Sequence, residues 1–331
     1  MKKIYFFLLT AVACSLQMNA TEGALQGRFT INANGDQVVF SQGNLQYQAS
    51  TQTWRFAENQ YDYVGDATNG NVYVGETKSN NSLISDTYDG WIDLFGWGTG
   101  DAPTKTSTNE ADYATFTDWG TNPINNGGED TWRTPTREEW KYLFLSRENA
   151  ATLFGLGSVD GAKGLIILPD NWVLPEDASF TASTTVGLVN KGGYYEVSSY
   201  SIDLYVYNIL TAEEWTVLEA AGAVFLPATG YRFDKNVDLN EAGIYWTPDQ
   251  STSEYGMTGA DLFFRGVTVQ PSHSRDSYFG HAVRLVKDID TTPIENVQRN
   301  NVLCTKVIID GELYIILPDD KVFNAIGVRV Q

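Results

Sequence analysis

The sequence predicts an α+β domain with a mainly antiparallel sheet and two main helices, followed by a small β-hairpin module. Short runs of alternating apolar and polar residues indicate strands in the early and the late parts of the segment 27–288. Two capping motifs in the middle of the chain mark helix starts. Polar turns separate the late strands, as is typical of antiparallel pairing.

Residues 1–20 have the pattern of a secretory signal peptide. Lys2 and Lys3 precede an apolar run over residues 4–13, which is too short to span a bilayer, and no later stretch is long and apolar enough. We therefore expect an exported protein, secreted or at the cell surface, without a transmembrane segment. The alternative is a lipoprotein anchored at Cys14, because "AVAC" resembles a loose lipobox.

The first part of the domain, assigned to residues 24–289, begins with an expected β-meander over residues 27–64. Its strands are predicted in "RFTI", "QVVF", "LQYQ" and "TWRFA", with an Asn-Gly turn at Asn34. Residues 66–130 are rich in Gly, Asn, Asp, Thr and Ser. We expect long loops there, of a kind that is often functional, pinned by Trp91, Phe95, Trp97 and Trp119.

The two helices are predicted from capping boxes, in which a threonine is followed three residues later by a glutamate. The pairs are Thr136 with Glu139 and Thr211 with Glu214, and Gly222 closes the second helix. The adjacent glutamates in each first turn suit the helix dipole, so capping explains them better than a catalytic acid pair does.

Apolar strands that end in Leu-Pro follow each helix, at Pro169 and Pro227. Three further strands are expected in "GIYWTPDQ", "ADLFFRGVTVQP" and "GHAVRLVKD". Residues 290–300 have the composition of a linker. In the tail, residues 301–331, an Asp310-Gly311 turn predicts a β-hairpin, and a third short strand ends the chain.

The charge balance excludes some partners. The chain has 41 acidic and 22 basic residues and a formal net charge of −19, which argues against nucleic acid and anionic membrane surfaces. No calcium-loop pattern occurs, and we expect neither a metal nor a cofactor. After export Cys304 is the one remaining cysteine, so no internal disulfide is expected.

Six motifs occur in a fixed order: "FSQGNLQY", "WRTPTREEWKYLF", "GLIILPDNW", "AVFLPATGYR", "YWTPDQS" and "GHAVRLV". Over residues 27–288 they resemble a family of secreted gut-bacterial proteins with the C-type-lectin-like fold in its formylglycine-generating-enzyme-like version. The resemblance implies a platform formed by the last strands, which diversity-generating retroelements vary in some relatives.

Thr247 and Pro248 depart from the relatives' pattern, and the usual alternating Tyr and Asn residues are missing. The resemblance therefore implies the binding platform but not its diversification. The tail resembles C-terminal sorting modules of exported proteins from the same bacteria, which implies contact with cell-envelope sorting machinery.

Catalysis is not expected. Enzymes of this fold class use a cysteine pair or a cysteine-bound copper, which Cys304 alone cannot supply. A Ser-His-Asp device would need one of the two histidines, His273 or His281, but no nucleophile elbow is present. Zinc binding by two histidines eight residues apart lacks further ligands. A carboxylate pair of the glycosidase kind remains open among the many acids.

Alternation along the late strands assigns their faces. In "ADLFFRGV" Leu262 and Phe264 face the core, and Asp261, Phe263 and Arg265 face the other way. In "GHAVRLV" Val283 and Leu285 mark the core side. His281 is then expected as a hydrogen-bonded structural residue, and Arg284 as the partner of a scaffold carboxylate.

We expect ligand contacts from loops 247–261 and 271–281, where aromatic, arginine and amide side chains are concentrated. The candidate binding residues are Asp249, Gln250, Glu254, Tyr255, Phe263, Arg265, His273, Arg275, Tyr278 and Phe279. They predict a non-catalytic exported protein that recognises a protein or a glycan. The alternatives are a structural or adhesin subunit of a surface assembly and, less favoured, an enzyme of unrecognised type.

Overall fold

The computed structural model describes residues 23–64, 79–80, 84–125, 127–128, 131–200, 202–239, 241–253, 256–289, 305–309, 312–316 and 322–324. The predicted signal peptide, the linker, Cys304 and the Asp310-Gly311 turn lie outside these residues. The chain divides into two compact units, Met1–Ile289 and Asp290–Gln331. None of the helices in the described ranges has the length and apolar character needed to cross a membrane.

The secondary structure is mainly short strands. The strands are β1 Phe29–Thr30, β2 Gln37–Phe40, β3 Leu45–Gln48, β4 Thr53–Phe56, β5 Ser79–Asn80, β6 Trp91–Ile92, β7 Phe154–Val159, β8 Ala162–Ile167, β9 Leu188–Asn190, β10 Tyr195–Val197, β11 Ile209–Leu210, β12 Val224–Pro227, β13 Tyr231–Phe233, β14 Asn236–Asp238, β15 Gly243–Ser253, β16 Gly256–Arg265, β17 Thr268–Asp276, β18 Val286–Ile289, β19 Thr305–Ile309, β20 Glu312–Ile316 and β21 Val322–Asn324. The α-helices are α1 Arg137–Lys141, which continues as a π-helical turn Tyr142–Ser146, and α2 Ala212–Ala220. Single 3₁₀ turns cover Ala49–Thr51, Glu110–Tyr113, Trp119–Thr121, Ala150–Thr152, Ser183–Thr185 and Leu204–Val206.

The predicted α+β class is confirmed. The largest sheet has the order β15-β16-β17-β10-β9 and is antiparallel throughout, and a four-stranded sheet has the order β11-β7-β8-β12. In the four-stranded sheet β11 pairs with β7 in parallel, and its other pairs are antiparallel. Small sheets β1-β2-β18, β4-β3-β6 and β13-β14-β5 complete the first unit.

The first four strands form where the sequence predicts them, but the single meander is wrong. β1 pairs with β2 and β3 pairs with β4, yet β2 and β3 belong to different sheets. The late segment of the chain lies where a β2–β3 pairing would be. Ser41 N donates to Leu285 O at 2.9 Å, Leu45 N donates to Val283 O at 3.0 Å, and β18 pairs with β2.

Both predicted helix starts are confirmed as capping boxes. The Glu139 carboxylate accepts from Thr136 N at 2.7 Å, and the Glu214 carboxylate accepts from Thr211 N at 2.8 Å. Gly222 follows the α2 C-cap in the left-handed region, at φ +99°, where its N–H bonds to Glu219 O. Glycine adopts this conformation without steric cost, so it ends the helix as predicted.

The late strands differ from prediction in four places. Residues 247–261 were expected as a binding loop, but they belong to the paired strands β15, which runs to Ser253, and β16, which starts at Gly256. The segment "ADLFFRGVTVQP" is two strands, β16 and β17, joined by a tight turn at residues 266–267. The segment "PSHSRDSYF" was expected to be a loop, but β17 continues through it to Asp276, because β16 pairs with residues 273–276 beyond a register shift at Pro271 and Ser272. In "GHAVRLVKD" the regular strand is confined to β18, and residues 280–282 form isolated bridges.

Two hydrophobic cores lie on opposite faces of the largest sheet. One packs Leu262, Phe264 and Val269 against Trp140 and Phe144 of the first helical segment. The other is built from aromatic residues of the predicted long loops, including Phe95, Trp97 and Trp119, which are buried as expected. The fourth expected pin, Trp91, is half-buried, and the Arg55 guanidinium lies 3.7 Å over its ring.

The second unit contains the predicted hairpin. β19 pairs antiparallel with β20, and β20 pairs antiparallel with β21, which is the expected third short strand.

Loss of a cap should destabilise the first unit measurably. We expect Thr211→Ala to lower the free energy of unfolding by about 1 kcal/mol, because the backbone N–H of Glu214 loses its acceptor. The matched control is Thr216→Ala, on the exposed side of the same helix, with an expected change within about 0.5 kcal/mol. Equal effects of the two substitutions in urea denaturation would contradict the capping role.

Candidate functional site

The outward residues of β16 are placed as the sequence predicts. Leu262 and Phe264 are fully buried in the first core, whereas Asp261, Phe263 and Arg265 point to the opposite face. Of these three, Asp261 and the predicted binding residue Phe263 are buried there, because Ala242, Ile244 and Tyr231 pack against Phe263, and Arg265 is exposed. Asp261 lies opposite His273 of β17, and Arg265 lies opposite Thr268. Since a strand rises about 3.3 Å per residue, these two positions are separated by roughly 13 Å along β16.

An aromatic patch lies beside the His273 end of this face. It consists of Tyr231, Phe233, Tyr278 and Phe279. Phe279 contacts both Tyr231 and Phe233 at centroid distances of 5.4 Å, and Phe233 contacts Tyr278 at 5.8 Å. Phe233 is 42% exposed, and the other three rings are half-buried. The patch therefore joins two residues that the sequence predicts as binding residues to two that it does not.

Backbone pairing brings the two halves of the aromatic patch together. Arg232 and Gly280 exchange N–H···O bonds of 2.8 Å in both directions, which aligns β13 with the turn after β17. A side chain at position 280 would collide with Arg232, because a Cβ there would lie 2.7 Å from Arg232 Nε. Glycine at 280 is therefore required for the close approach.

Carboxylates fix the turn that carries Tyr278 and Phe279. The Glu110 carboxylate accepts from Ser277 N with both oxygens, at 3.0 and 3.1 Å. The Tyr278 hydroxyl donates to Asp276 Oδ2 at 2.6 Å. This hydrogen bond, followed by desolvation, raises the pKa of Tyr278 to about 12, so the phenol stays protonated.

His273 and Asp261 form a hydrogen-bonded pair behind the patch. Their Nδ1 and Oδ1 atoms are 2.8 Å apart, and the imidazole stacks on Phe263 at a centroid distance of 4.9 Å. Burial raises the pKa of Asp261, while the His273 hydrogen bond and charge oppose that shift. With Asp261 ionised, Nδ1–H of His273 is the donor and Oδ1 is the acceptor of this bond. No hydroxyl group of the described residues bonds to Nε2 of His273. The serine of a Ser-His-Asp catalytic triad is therefore not found among the described residues.

His281 corrects one sequence expectation. It is fully buried and stacked on Trp246 at a centroid distance of 4.0 Å, but neither ring nitrogen has a hydrogen-bond partner in the described structure. Burial holds the pKa of His281 well below its usual value, and the positive charges of Arg275, His273 and Arg232 act in the same direction. His281 is structural, but as a neutral aromatic filler rather than a hydrogen-bonded residue.

Arg284 is structural as expected, although its partners are amides and not a carboxylate. Its guanidinium donates to Asn44 Oδ1 at 3.3 Å and to Gln60 Oε1 at 2.6 Å. Gln60 in turn donates to Glu219 at 2.8 Å, so the nearest negative charge acts through an intervening amide. Desolvation lowers the pKa of Arg284 to about 10, so it remains charged at neutral pH.

Asp249 and Gln250 contact the scaffold. Asp249 Oδ2 accepts from Arg137 N at 2.7 Å, at the start of α1, and the Gln250 carbonyl accepts from the Arg137 guanidinium at 2.7 Å. These bonds tie β15 to the helix, and the Gln250 side chain is left exposed. Glu254 and Tyr255, two further predicted binding residues, lie outside the described residues.

Arg265 lies away from the patch, beside a surface groove of about 390 Å³. The groove is lined by Tyr200, Ile202, Asp203, Tyr205, Glu241, Arg265, Gly266 and Val267. The predicted set thus falls into three places: the helix contact of Asp249 and Gln250, the groove with Arg265, and the region of the patch. Phe263, His273, Arg275, Tyr278 and Phe279 belong to the last of these.

Sequence reasoning missed Tyr231 and Phe233 in the patch and Tyr200 in the groove. A sequence pattern could have indicated the first two. In "GYRF", which follows the strand that ends in Leu-Pro, aromatic residues alternate with a basic one, and this alternation predicts a strand with both rings on one face. Tyr200 follows two serines in a polar stretch, where nothing distinguishes it from an ordinary loop residue.

A search of the described residues for three or more His, Cys, Asp or Glu side chains placed to hold a metal ion gave no such group. No family model, curated protein or solved structure matched the chain. The α+β class therefore rests on the strands and helices themselves.

The buried neutral state of His281 predicts a pH dependence of stability. Its folded pKa is depressed, so below about pH 6.5 the unfolded chain binds a proton that the folded chain does not, and stability falls as the pH falls. This effect costs up to about 1.4 kcal/mol for each pH unit. His281→Phe keeps a ring against Trp246 and removes the proton site, so its stability relative to wild type should rise between pH 7.5 and 5.5 in urea denaturation.

A constant difference between wild type and His281→Phe across that pH range would contradict a neutral buried imidazole.

Proposed function

We propose that this chain is an exported, non-catalytic ligand-binding protein with a C-type-lectin-like fold, and that the aromatic patch is its main binding surface. The single observation that carries the proposal is the grouping of four partly exposed aromatic rings around Phe233, which is 42% exposed. Export rests on the signal-peptide pattern of residues 1–20, and the fold family rests on the six ordered motifs.

The composition of the patch suits molecular recognition. Tyrosine and phenylalanine bury large areas while losing few rotatable bonds, and arginine adds a fork of donors; such residues dominate the energetics of interfaces. Arg275, exposed on the outer face of β17 just before the patch, supplies that fork. Asp276 is committed to Tyr278 and holds its ring in place.

The patch is also rigid, which favours affinity. The turn that carries Tyr278 and Phe279 is fixed by Glu110 and by the paired backbone of Arg232 and Gly280. Little conformational freedom is then lost when a ligand binds, so more of the contact energy appears as affinity. A surface of clustered rings beside an arginine fits a loop of a protein ligand best, and a glycan is the other ligand class that such rings accept.

The C-terminal unit serves a different role in this proposal. Its three-stranded sheet and its resemblance to sorting modules support recognition by cell-envelope sorting machinery. The ligand-binding surface does not require it.

The test of the proposed function is a binding screen with a double variant of the patch. The purified protein is applied to arrays of extracellular proteins and of glycans, and the ligands found are titrated by calorimetry. Phe233→Ala combined with Tyr278→Ala should weaken binding to a patch ligand at least tenfold, about 1.4 kcal/mol, because two partly exposed rings of the patch are removed.

Tyr207→Ala is the matched control, because Tyr207 is 44% exposed, close to Phe233, and lies outside the patch. It should bind as wild type does. Binding that survives the double variant, or an absence of binding on both arrays, would show that the patch is not a recognition surface. Hits confined to one array identify the ligand class.

A further inference from the structure

The groove lies at the turn between β16 and β17, whereas the patch lies on β13 and in the turn beyond the opposite end of β17. Its volume of about 390 Å³ falls within the range of small-molecule sites, which is about 300–1,000 Å³. It opens between the segment of Tyr200, Ile202 and Asp203 and the turn at Gly266. Tyr205, which is almost fully buried, forms part of the lining.

The walls of the groove are held by backbone and side-chain bonds. Leu204 N donates to Gly266 O at 2.8 Å, and the Tyr205 hydroxyl donates to Glu241 O at 2.9 Å. Gly266 permits Asp203 to approach, because a Cβ at that position would lie 2.3 Å from Asp203 Oδ1. The groove is therefore formed before any ligand arrives, which reduces the cost of binding.

The polar groups of the groove are balanced in charge. Lys163 Nζ lies 2.8 Å from Glu241 Oε1 and 3.6 Å from Asp203 Oδ2, between the two carboxylates. Both carboxylates keep nearly half of their side-chain surface exposed, so they retain acceptor positions for a ligand. Lys163 lies outside the lining, and Arg265 is the positively charged side chain within it, so the two carboxylates have one cation behind them and one in the groove.

Arg265 is the group that points to a ligand. It is exposed, and it forms no hydrogen bond or ion pair with any residue in the described part of the chain. Its five N–H donors are therefore available at the edge of the groove. Tyr200 lies beside it and is 65% exposed, while its hydroxyl is held by Glu196 at 2.6 Å, so the ring is fixed with much of its surface open.

Glu241 adds a second observation at the same place. Its backbone lies in the left-handed region at φ +62°, which is uncommon for a residue other than glycine, asparagine or aspartate. The Tyr205 hydroxyl donates to the Glu241 backbone carbonyl, and Lys163 donates to the Glu241 carboxylate. Strained residues that the surrounding structure enforces are concentrated at binding sites.

We propose that this groove binds a neutral saccharide unit, with Arg265 as donor, Asp203 and Glu241 as acceptors and the Tyr200 ring as an apolar platform. Sugar hydroxyl groups both donate and accept, so they satisfy a lining that offers both kinds of partner. An acidic sugar would meet the two carboxylates in a chain with a net charge of −19. The site is separate from the aromatic patch and does not depend on the proposed function.

The test uses a printed array of neutral oligosaccharides that end in hexoses or N-acetylhexosamines, with sialylated and sulfated oligosaccharides as separate arms. The strongest neutral oligosaccharide on the array is then titrated by calorimetry against the purified protein and its variants. Tyr200→Ala and Arg265→Ala should each weaken binding at least tenfold. Tyr200→Phe should stay within about threefold of wild type, because it keeps the ring and loses only the bond to Glu196.

Two controls keep this test separate from that of the patch. Tyr207→Ala matches the loss of an exposed ring elsewhere, and Phe233→Ala combined with Tyr278→Ala removes the patch; both should bind the neutral oligosaccharide as wild type does. Because Tyr200 and Arg265 are exposed, their substitution should leave the melting temperature within a few degrees of wild type.

The assignment is overturned if no neutral oligosaccharide binds or if only the acidic arms bind. It is also overturned if the groove variants bind as wild type does, and loss of saccharide binding in the patch variant alone would move the sugar site to the patch.

Discussion

The first unit depends on the burial of residues 280–286 between its two cores. Ala282 and Val286 contact one core, and Val283 and Leu285 contact the other. The backbone of the same segment bonds to Phe95, to Ile244 and to the loop before β3. A short stretch with few regular strand bonds thus connects the largest sheet, the aromatic loops and the first hairpin, so most of its stability comes from burial of apolar surface.

That central position explains the chemistry of its polar residues. A charged imidazole at His281 would lose its hydration without gaining a partner, so the ring is neutral and packs as an aromatic residue. Arg284 keeps its proton at neutral pH, and its two terminal nitrogens donate to the amide oxygens of Asn44 and Gln60, while Nε has no partner among the described residues. The segment therefore carries its histidine and its arginine for packing.

Sequence patterns correctly predicted the structural features that depend on interactions between residues close together in the chain. The capping threonines, the Asn-Gly turn and the alternation around Leu262 each follow from a few adjacent residues. They did not predict β17, because "PSHSRDS" is polar at successive positions and forms a strand only with β16 beside it. Pairing between segments that are distant in sequence could not be predicted either. Arg232 of β13 pairs with Gly280, and no local sequence pattern specifies which distant residues pair. The sequence therefore predicted two of the four residues of the aromatic patch, Tyr278 and Phe279, and missed the two on β13.

The pairing of β16 with β17 separates two surfaces of different composition, an aromatic one near the His273 end and a charged one near Arg265. Near His273 the outer face of the sheet buries Phe263 against Ala242, Ile244 and Tyr231, and the aromatic patch begins at this margin with Tyr231. Near Arg265 no residue of the aromatic loops lines the groove. The strand ends and the turn at Gly266 instead leave charged side chains exposed to solvent. Under the two proposals above, the patch holds one ligand mainly by apolar contact, and the groove, at the opposite end of β17, holds another by hydrogen bonds.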